Sequence, residues 1–79
     1  MRVVGEITND ECKITIFNWN NRYIIKLEQG PLEQTFKVNE YDISTEAALN
    51  KIIDSQFITE ALERFKSMNI SLSEAVSRG

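Results

Sequence analysis

Hydrophobic and polar residues alternate with a period of two through the first half of the chain, most clearly in residues 12–27. Two β-rich runs flank Asn20 and Asn21 there, and asparagine tolerates the positive φ that a tight hairpin turn requires. A two-residue turn pairs Ile16 with Ile25 and places mostly apolar residues on one face of the hairpin. A three-residue loop would set apolar opposite polar side chains throughout, and a four-residue loop would oppose two lysines. The pattern therefore predicts a β-hairpin with a two-residue turn.

The segment Arg2–Thr8 predicts a further strand before this hairpin, followed directly by a turn. A tight turn sets Ile7 opposite Cys12 in the ladder. The same register puts Val3 on the apolar face of the sheet and leaves Val4 on the other face.

The alternation resumes after Gly30 and Pro31 and predicts a fourth strand over residues 34–38. Proline cannot donate a hydrogen bond to a ladder, so this dipeptide marks a turn. Strand pairing across the turn places Glu28 opposite Glu33, and we expect the ladder to open there because like charges repel. Four consecutive strands that agree on the apolar face indicate an antiparallel meander.

From Ser44 onwards the apolar period changes to about 3.6, which is typical of helices. Ser44 or Thr45 can cap a first helix, and Asp54 marks a break and a second cap. The capping-box pattern that begins at Ser71 predicts a short last helix. The apolar stripe of the second helix comprises Phe57, Ile58, Ala61, Leu62, Phe65 and Met68.

One continuous helix over residues 45–67 is the alternative to the break. It would measure about 35 Å and overhang strands of about 23 Å, so the break is favoured. The fold prediction is one two-layer α+β domain over residues 1–79, with two or three C-terminal helices packed on one face of the meander. The connection over residues 39–43 should point Tyr41 and Ile43 into the core.

Composition narrows the classes of function. The chain has 79 residues, 42% of them hydrophobic and 27% charged, which is ordinary for a globular protein. The net charge of −3 makes nucleic acid or an anionic membrane an unlikely principal partner. There is no signal-peptide core and no run of about 18 apolar residues, so a cytoplasmic protein is expected.

Catalysis is not predicted, because the chain has no histidine to act as a general base or metal ligand. The single cysteine, Cys12, should be buried and inert. The oxygen-rich segments at residues 9–11 and 39–42 lack the glycine and the ligand number of a calcium loop. We expect no enzyme activity, no cofactor and no metal site.

One face of the predicted sheet, here called the reverse face, is left uncovered if every helix packs on the other, the front face. Exposed apolar clusters commonly mark protein interfaces, so we expect this face to bind another copy of the chain or another protein. Nucleic-acid binding through the same face is the alternative, because cationic side chains lie beside its aromatic residues. The predicted interface residues are Val4, Phe17, Trp19, Arg22 and Ile24.

Residues 19–30 and 33–37 resemble small bacterial proteins of uncharacterised function, and the resemblance extends over nearly the whole chain. It includes no catalytic motif, so it implies no activity and no site residues.

Overall fold

The computed structural model describes residues 1–79 and contains one antiparallel sheet whose strand order is β1-β2-β3-β4. The predicted meander is therefore confirmed. The alternation of apolar and polar residues gives each strand a face toward the helices and a face away from them. The strands are β1 (Arg2–Thr8), β2 (Lys13–Trp19), β3 (Arg22–Gln29) and β4 (Leu32–Asn39).

The hairpin of β2 and β3 has the predicted register, with Ile16 opposite Ile25 and Phe17 opposite Ile24. Its two turn residues both adopt positive φ, 56° at Asn20 and 63° at Asn21. Positive φ at both central positions is the type I′ geometry, whose twist matches that of the flanking strands. The asparagine pair thus fixes the register of the central hairpin.

The predicted register of β1 is wrong. Ile7 pairs with Ile14 rather than Cys12, because residues 9–12 form a longer loop in which the Asn9 side chain accepts a hydrogen bond of 2.9 Å from the Glu11 amide. The ladder also contains a bulge at Val4, between Val3 and Gly5. A bulge shifts the alternation by one residue, so the chain before it changes face.

The ladder between β3 and β4 stays paired up to its turn, contrary to the expected opening. Glu28 does face Glu33, but the Glu33 carboxylate lies 3.4 Å from the ammonium group of Lys26 and is neutralised there. Gly30 adopts a φ of 58° ahead of Pro31, which suits a tight turn with positive φ at its first central position only. A diagonal ion pair thus relieves the repulsion.

Two α-helices follow the sheet, the lower of the two predicted numbers. Helix α1 (Glu46–Ile52) is capped by the Thr45 hydroxyl, which accepts a hydrogen bond of 3.0 Å from the Ala48 amide. Helix α2 (Ser55–Arg78) is capped by the Asp54 carboxylate. The break at Asp54 is confirmed, whereas the separate last helix is wrong because α2 runs through Ser71 without interruption.

The core lies between the front face of the sheet and the helices. Phe65 and Ala61 of α2 and Leu49 of α1 are 0–1% exposed, as are the sheet residues Ile14 and Leu27. The partly buried residues packed against this core are Val4, Ile7, Phe36, Val38, Ile43, Phe57, Ile58, Leu62 and Met68.

Polar and aromatic contacts fix α2 against β4. The Gln34 side-chain amide donates 2.8 Å to the Ala61 carbonyl and its oxygen accepts 2.9 Å from Arg64 Nε. The Arg64 guanidinium also lies over the Phe36 ring, 5.7 Å from its centroid, and Phe36 meets Phe57 edge to face at 5.2 Å. These contacts position the first half of the helix, where its apolar stripe meets the sheet.

The second half of α2 extends beyond the sheet. The helix begins beside Phe36 and passes the β3–β4 turn at Met68, and residues 69–79 are all exposed. At 1.5 Å per residue α2 is about 36 Å long, whereas its strands measure about 27 Å or less. The radius of gyration is 14.2 Å, against about 12 Å for a compact chain of this length.

A 3-10 turn, Glu40–Asp42, joins the sheet to the helices. The Asn39 side chain accepts a hydrogen bond of 3.1 Å from the Tyr41 amide, which turns the chain away from the sheet. Ile43 packs against the core as expected, but Tyr41 is 85% exposed and the prediction of its burial is wrong. No helix of the protein combines the length and apolar character needed to cross a lipid bilayer.

Candidate interaction surface

The reverse face divides into an apolar end and a charged end. Near the β2–β3 turn, the strand register sets Val3, Phe17 and Ile24 in one row, with Trp19 and Arg22 in the next. We call Val3, Phe17, Trp19 and Ile24 the apolar end. The charged end occupies the next two rows along the strands, away from that turn, and comprises Glu6, Lys13, Lys26, Glu28 and Glu33.

Neighbouring side chains already cover part of the apolar end. Ile24 is only 7% exposed although it lies outside the core between sheet and helices, because the row places it between Phe17 and Lys37. Phe17 is half-buried. Trp19 and Val3 remain 51% and 55% exposed. The apolar surface offered to a partner therefore comes mainly from Trp19, Val3 and the free side of Phe17.

Val4 does not belong to this surface, which corrects the predicted interface. The bulge turns Val4 toward the front face, where it packs against the core. Val3 occupies the position opposite Phe17 instead. The other predicted residues, Phe17, Trp19, Arg22 and Ile24, lie on the reverse face as expected.

A shallow cleft of about 310 Å³ crosses the reverse face. Met1, Phe17, Trp19 and Ile24 form its apolar wall. Met1 is 72% exposed, so the cleft adds a further apolar side chain to the apolar end. The polar lining residues Lys26, Glu33, Thr35 and Lys37 are on β3 and β4.

Charge on the reverse face is mixed. Lys26 pairs with Glu33, whereas Lys13, Arg22 and Lys37 have no carboxylate within 4.0 Å. Arg22 stands directly opposite Trp19 beside the turn. Arg22 and Lys37 lie in adjacent rows near the β2–β3 turn, whereas Lys13 lies at the charged end beside Glu28, so these cations form no continuous basic stripe.

The chemistry of Cys12 is that of a buried thiol. Its side chain is 7% exposed and packs with the core, as predicted, although it lies in the loop before β2 rather than opposite Ile7. Burial raises the pKa of the Cys12 thiol above its ordinary value of 9.0, and the nearby Glu11 carboxylate raises this pKa further. No group of three or more cysteine or acidic side chains is placed to hold a metal ion.

A second exposed apolar region was not predicted from the sequence. Ile70, Leu72 and Val76 of α2 are 58%, 43% and 70% exposed, beyond the end of the sheet. The signal was present, because Leu72 and Ala75 continue the spacing of Phe65 and Met68 by alternating steps of three and four residues. Assigning residues 72–77 to a separate short helix concealed that continuity.

Comparison with known protein families, with curated proteins and with solved structures gives no match for this chain. The resemblance of residues 19–30 and 33–37 to small bacterial proteins therefore stays a hypothesis, and the function is argued from the residues themselves.

Proposed function

We propose that the protein is a non-catalytic interaction module that pairs with a second copy of itself through the apolar end of the reverse face. The observation that supports this most is the juxtaposition of Val3, Phe17 and Trp19 in adjacent rows with no helix over them. Large apolar side chains grouped on a surface are typical of protein interfaces, and tryptophan is enriched among the residues that contribute most of the binding energy.

A second copy is a chemically suitable occupant because a two-fold axis through the apolar end brings identical apolar rows together. The charged end carries both positive and negative side chains, so two copies that meet there do not repel each other uniformly. Even the whole four-stranded face, about 19 Å wide and 24 Å long, offers only roughly 450 Å² per copy. Stable interfaces bury about 800 Å² per partner, so we expect a weak dimer with a Kd in the micromolar range or above.

Trp19→Glu tests this contact. Trp19 is half-exposed, so a carboxylate there is solvated in the monomer but meets its symmetry mate or apolar surface in the dimer. Phe17→Glu is less suitable because Phe17 is half-buried in the monomer. We expect sedimentation velocity over a concentration series to show self-association in the wild type, and at least tenfold weaker association in Trp19→Glu.

Tyr41→Glu is the matched control, since Tyr41 is an exposed aromatic residue that lines a cleft with Tyr23 and Ile43, on the core side of the sheet rather than on the reverse face. It should leave the Kd unchanged within about twofold. A wild type that stays monomeric to about 1 mM would contradict self-association. Equal weakening by Tyr41→Glu and Trp19→Glu would show that charge, rather than this face, controls the association.

Binding of single-stranded nucleic acid is the second candidate. It is favoured by Trp19, which is half-exposed for base stacking, with the unpaired Arg22 directly opposite and Lys37 in the adjacent row. Titration of a labelled oligonucleotide at two salt concentrations tests it, because phosphate contacts weaken as salt rises. Salt-dependent binding that Trp19→Ala and Arg22→Ala both reduce would support this function, and no binding at low salt would exclude it.

A further inference from the structure

Helix α2 continues one apolar stripe from the core into solvent. Ala61, Phe65 and Met68 are followed by Leu72 and Ala75 in steps of four, three, four and three residues. This spacing keeps one side of a helix apolar and is the pattern by which helices pair with each other. The first part of the stripe packs in the core, and the part from Leu72 onwards is exposed beyond it.

A groove lies where the helix leaves the sheet. It is shallow and open to solvent, with a volume of about 630 Å³. The β3–β4 turn supplies Pro31, Leu32 and Glu33 to one wall, and the helix supplies Met68 and Leu72 to the other. The exposed end of the stripe thus runs directly out of an apolar groove.

We propose that the projecting half of α2, residues 69–78, pairs antiparallel with the same segment of a second copy. In such a pair centred near Leu72, the Val76 side chain of each helix lies opposite Met68 of the other, at the groove. The chain therefore supplies both the groove and a helix of the length needed to reach it. This contact is separate from the sheet contact proposed above and does not depend on it.

Charge and size favour a second copy as the occupant. Ser71 lines the groove and Arg78, seven residues later, lies on the same flank of α2. In an antiparallel pair the same flanks of two helices meet, so Arg78 approaches Glu33 of the other copy. The Glu33 side chain is 52% exposed, so its carboxylate, which lies 3.4 Å from Lys26, can be shared between Lys26 and the incoming Arg78. The two Leu72 side chains meet at the centre of the pair, and the small Ala75 one turn away leaves room for them.

Leu72→Glu and Ile70→Glu form a matched pair of variants for the test. Both place a carboxylate on an exposed apolar position of one helix, but Ile70 lies on the side opposite the stripe. In a Trp19→Glu background, which removes association through the sheet contact, we expect Leu72→Glu to weaken the remaining self-association at least tenfold in sedimentation experiments, and Ile70→Glu to change its Kd by less than about twofold. Circular dichroism checks that both variants keep the helix.

Charge reversal distinguishes a direct contact between Arg78 and Glu33 from a loss of helix structure. Arg78→Glu should weaken association about threefold to tenfold, and adding Glu33→Arg should restore it to within about twofold of the wild type. In a Cys12→Ala background, cysteines introduced singly at residues 68–76 should form intermolecular disulfides only near Leu72. A parallel pair would cross-link along the whole stripe.

Several outcomes would overturn the inference. They are a monomeric wild type at about 1 mM, equal effects of Leu72→Glu and Ile70→Glu, or cross-linking at both Met68 and Ala75 as strongly as at Leu72. Dimerisation that Trp19→Glu abolishes and Leu72→Glu leaves intact would also overturn it while supporting the sheet contact. If neither Trp19→Glu nor Leu72→Glu weakens self-association, but the protein binds vesicles that contain phosphatidylserine, the stripe would be assigned to a lipid surface instead.

Discussion

The two halves of α2 have the same local sequence character and different surroundings. In the first half Ala61 and Phe65 are 0% exposed, and Gln34 and Arg64 bond the helix to β4. In the second half Leu72 is the least exposed large apolar residue, at 43%. Helices shorter than about 12–15 residues are marginal alone in water, so the packed half must support the projecting half. Helical structure therefore extends further along the chain than tertiary packing does.

The largest expected difference between the halves comes from Phe65→Ala. Phe65 is fully buried between the helix and the sheet, so truncation leaves a cavity in the core. The free energy of unfolding should fall by about 3–5 kcal/mol, measured by urea denaturation. Phe65→Leu should cost less because it fills most of the space, and a midpoint unchanged by Phe65→Ala would mean that α2 does not dock as described.

Leu62→Ala should have a smaller effect than Phe65→Ala. Leu62 is only partly buried, although the apolar stripe alone places it beside Phe65 in the core. We expect a loss of about 1–2 kcal/mol in the free energy of unfolding, below the usual range for a fully buried leucine. A loss equal to that of Phe65→Ala would indicate that the helix packs closer to the sheet and buries Leu62 fully.

Gln34→Ala removes the polar link between β4 and the packed half of α2. It deletes the bond to the Ala61 carbonyl and the bond from Arg64, and we expect a loss of about 1 kcal/mol. Gln56→Ala is the control, since Gln56 is exposed and makes no side-chain hydrogen bond to another residue. Similar losses in the two variants would show that the link contributes nothing specific.

The smallest effect is expected from Leu72→Ala. At a concentration where the chain is monomeric, Leu72 lies beyond the sheet, so its truncation should change the free energy of unfolding by less than about 0.5 kcal/mol. Urea denaturation at two protein concentrations checks this value. A large loss at the lower concentration would mean that the projecting half folds back onto the protein.

The central hairpin could be predicted from the sequence because local chemistry decides it. Two adjacent asparagines accept positive φ, and only a two-residue turn keeps apolar residues on one face. The α+β class and the break at Asp54 follow from similarly local signals, a change of period and a capping side chain. Four of the five predicted surface residues lie on the reverse face for the same reason.

The remainder depends on contacts that the local pattern does not encode. Val3 and Val4 are both valines, so their order carries no sign of which one faces the core. The loop at residues 9–12 is held partly by Gln29, whose side chain donates to the Glu11 carbonyl from another strand. The prediction of a separate helix from the capping box at Ser71 was wrong because residues 69–78 continue a helix that packing has already nucleated.

The bulge at Val4 has a consequence for how this strand tolerates changes in length. Val4 is the extra residue between the pairs Gly5–Ile16 and Val3–Phe17, so deleting it leaves Arg2 and Val3 opposite the same partners and on the same faces of the sheet. A single-codon deletion at this position would remove one side chain from the core side and leave the reverse face as it is. A lineage could thus change the length of this strand in one genetic step, without disturbing the hairpin on which the fold depends.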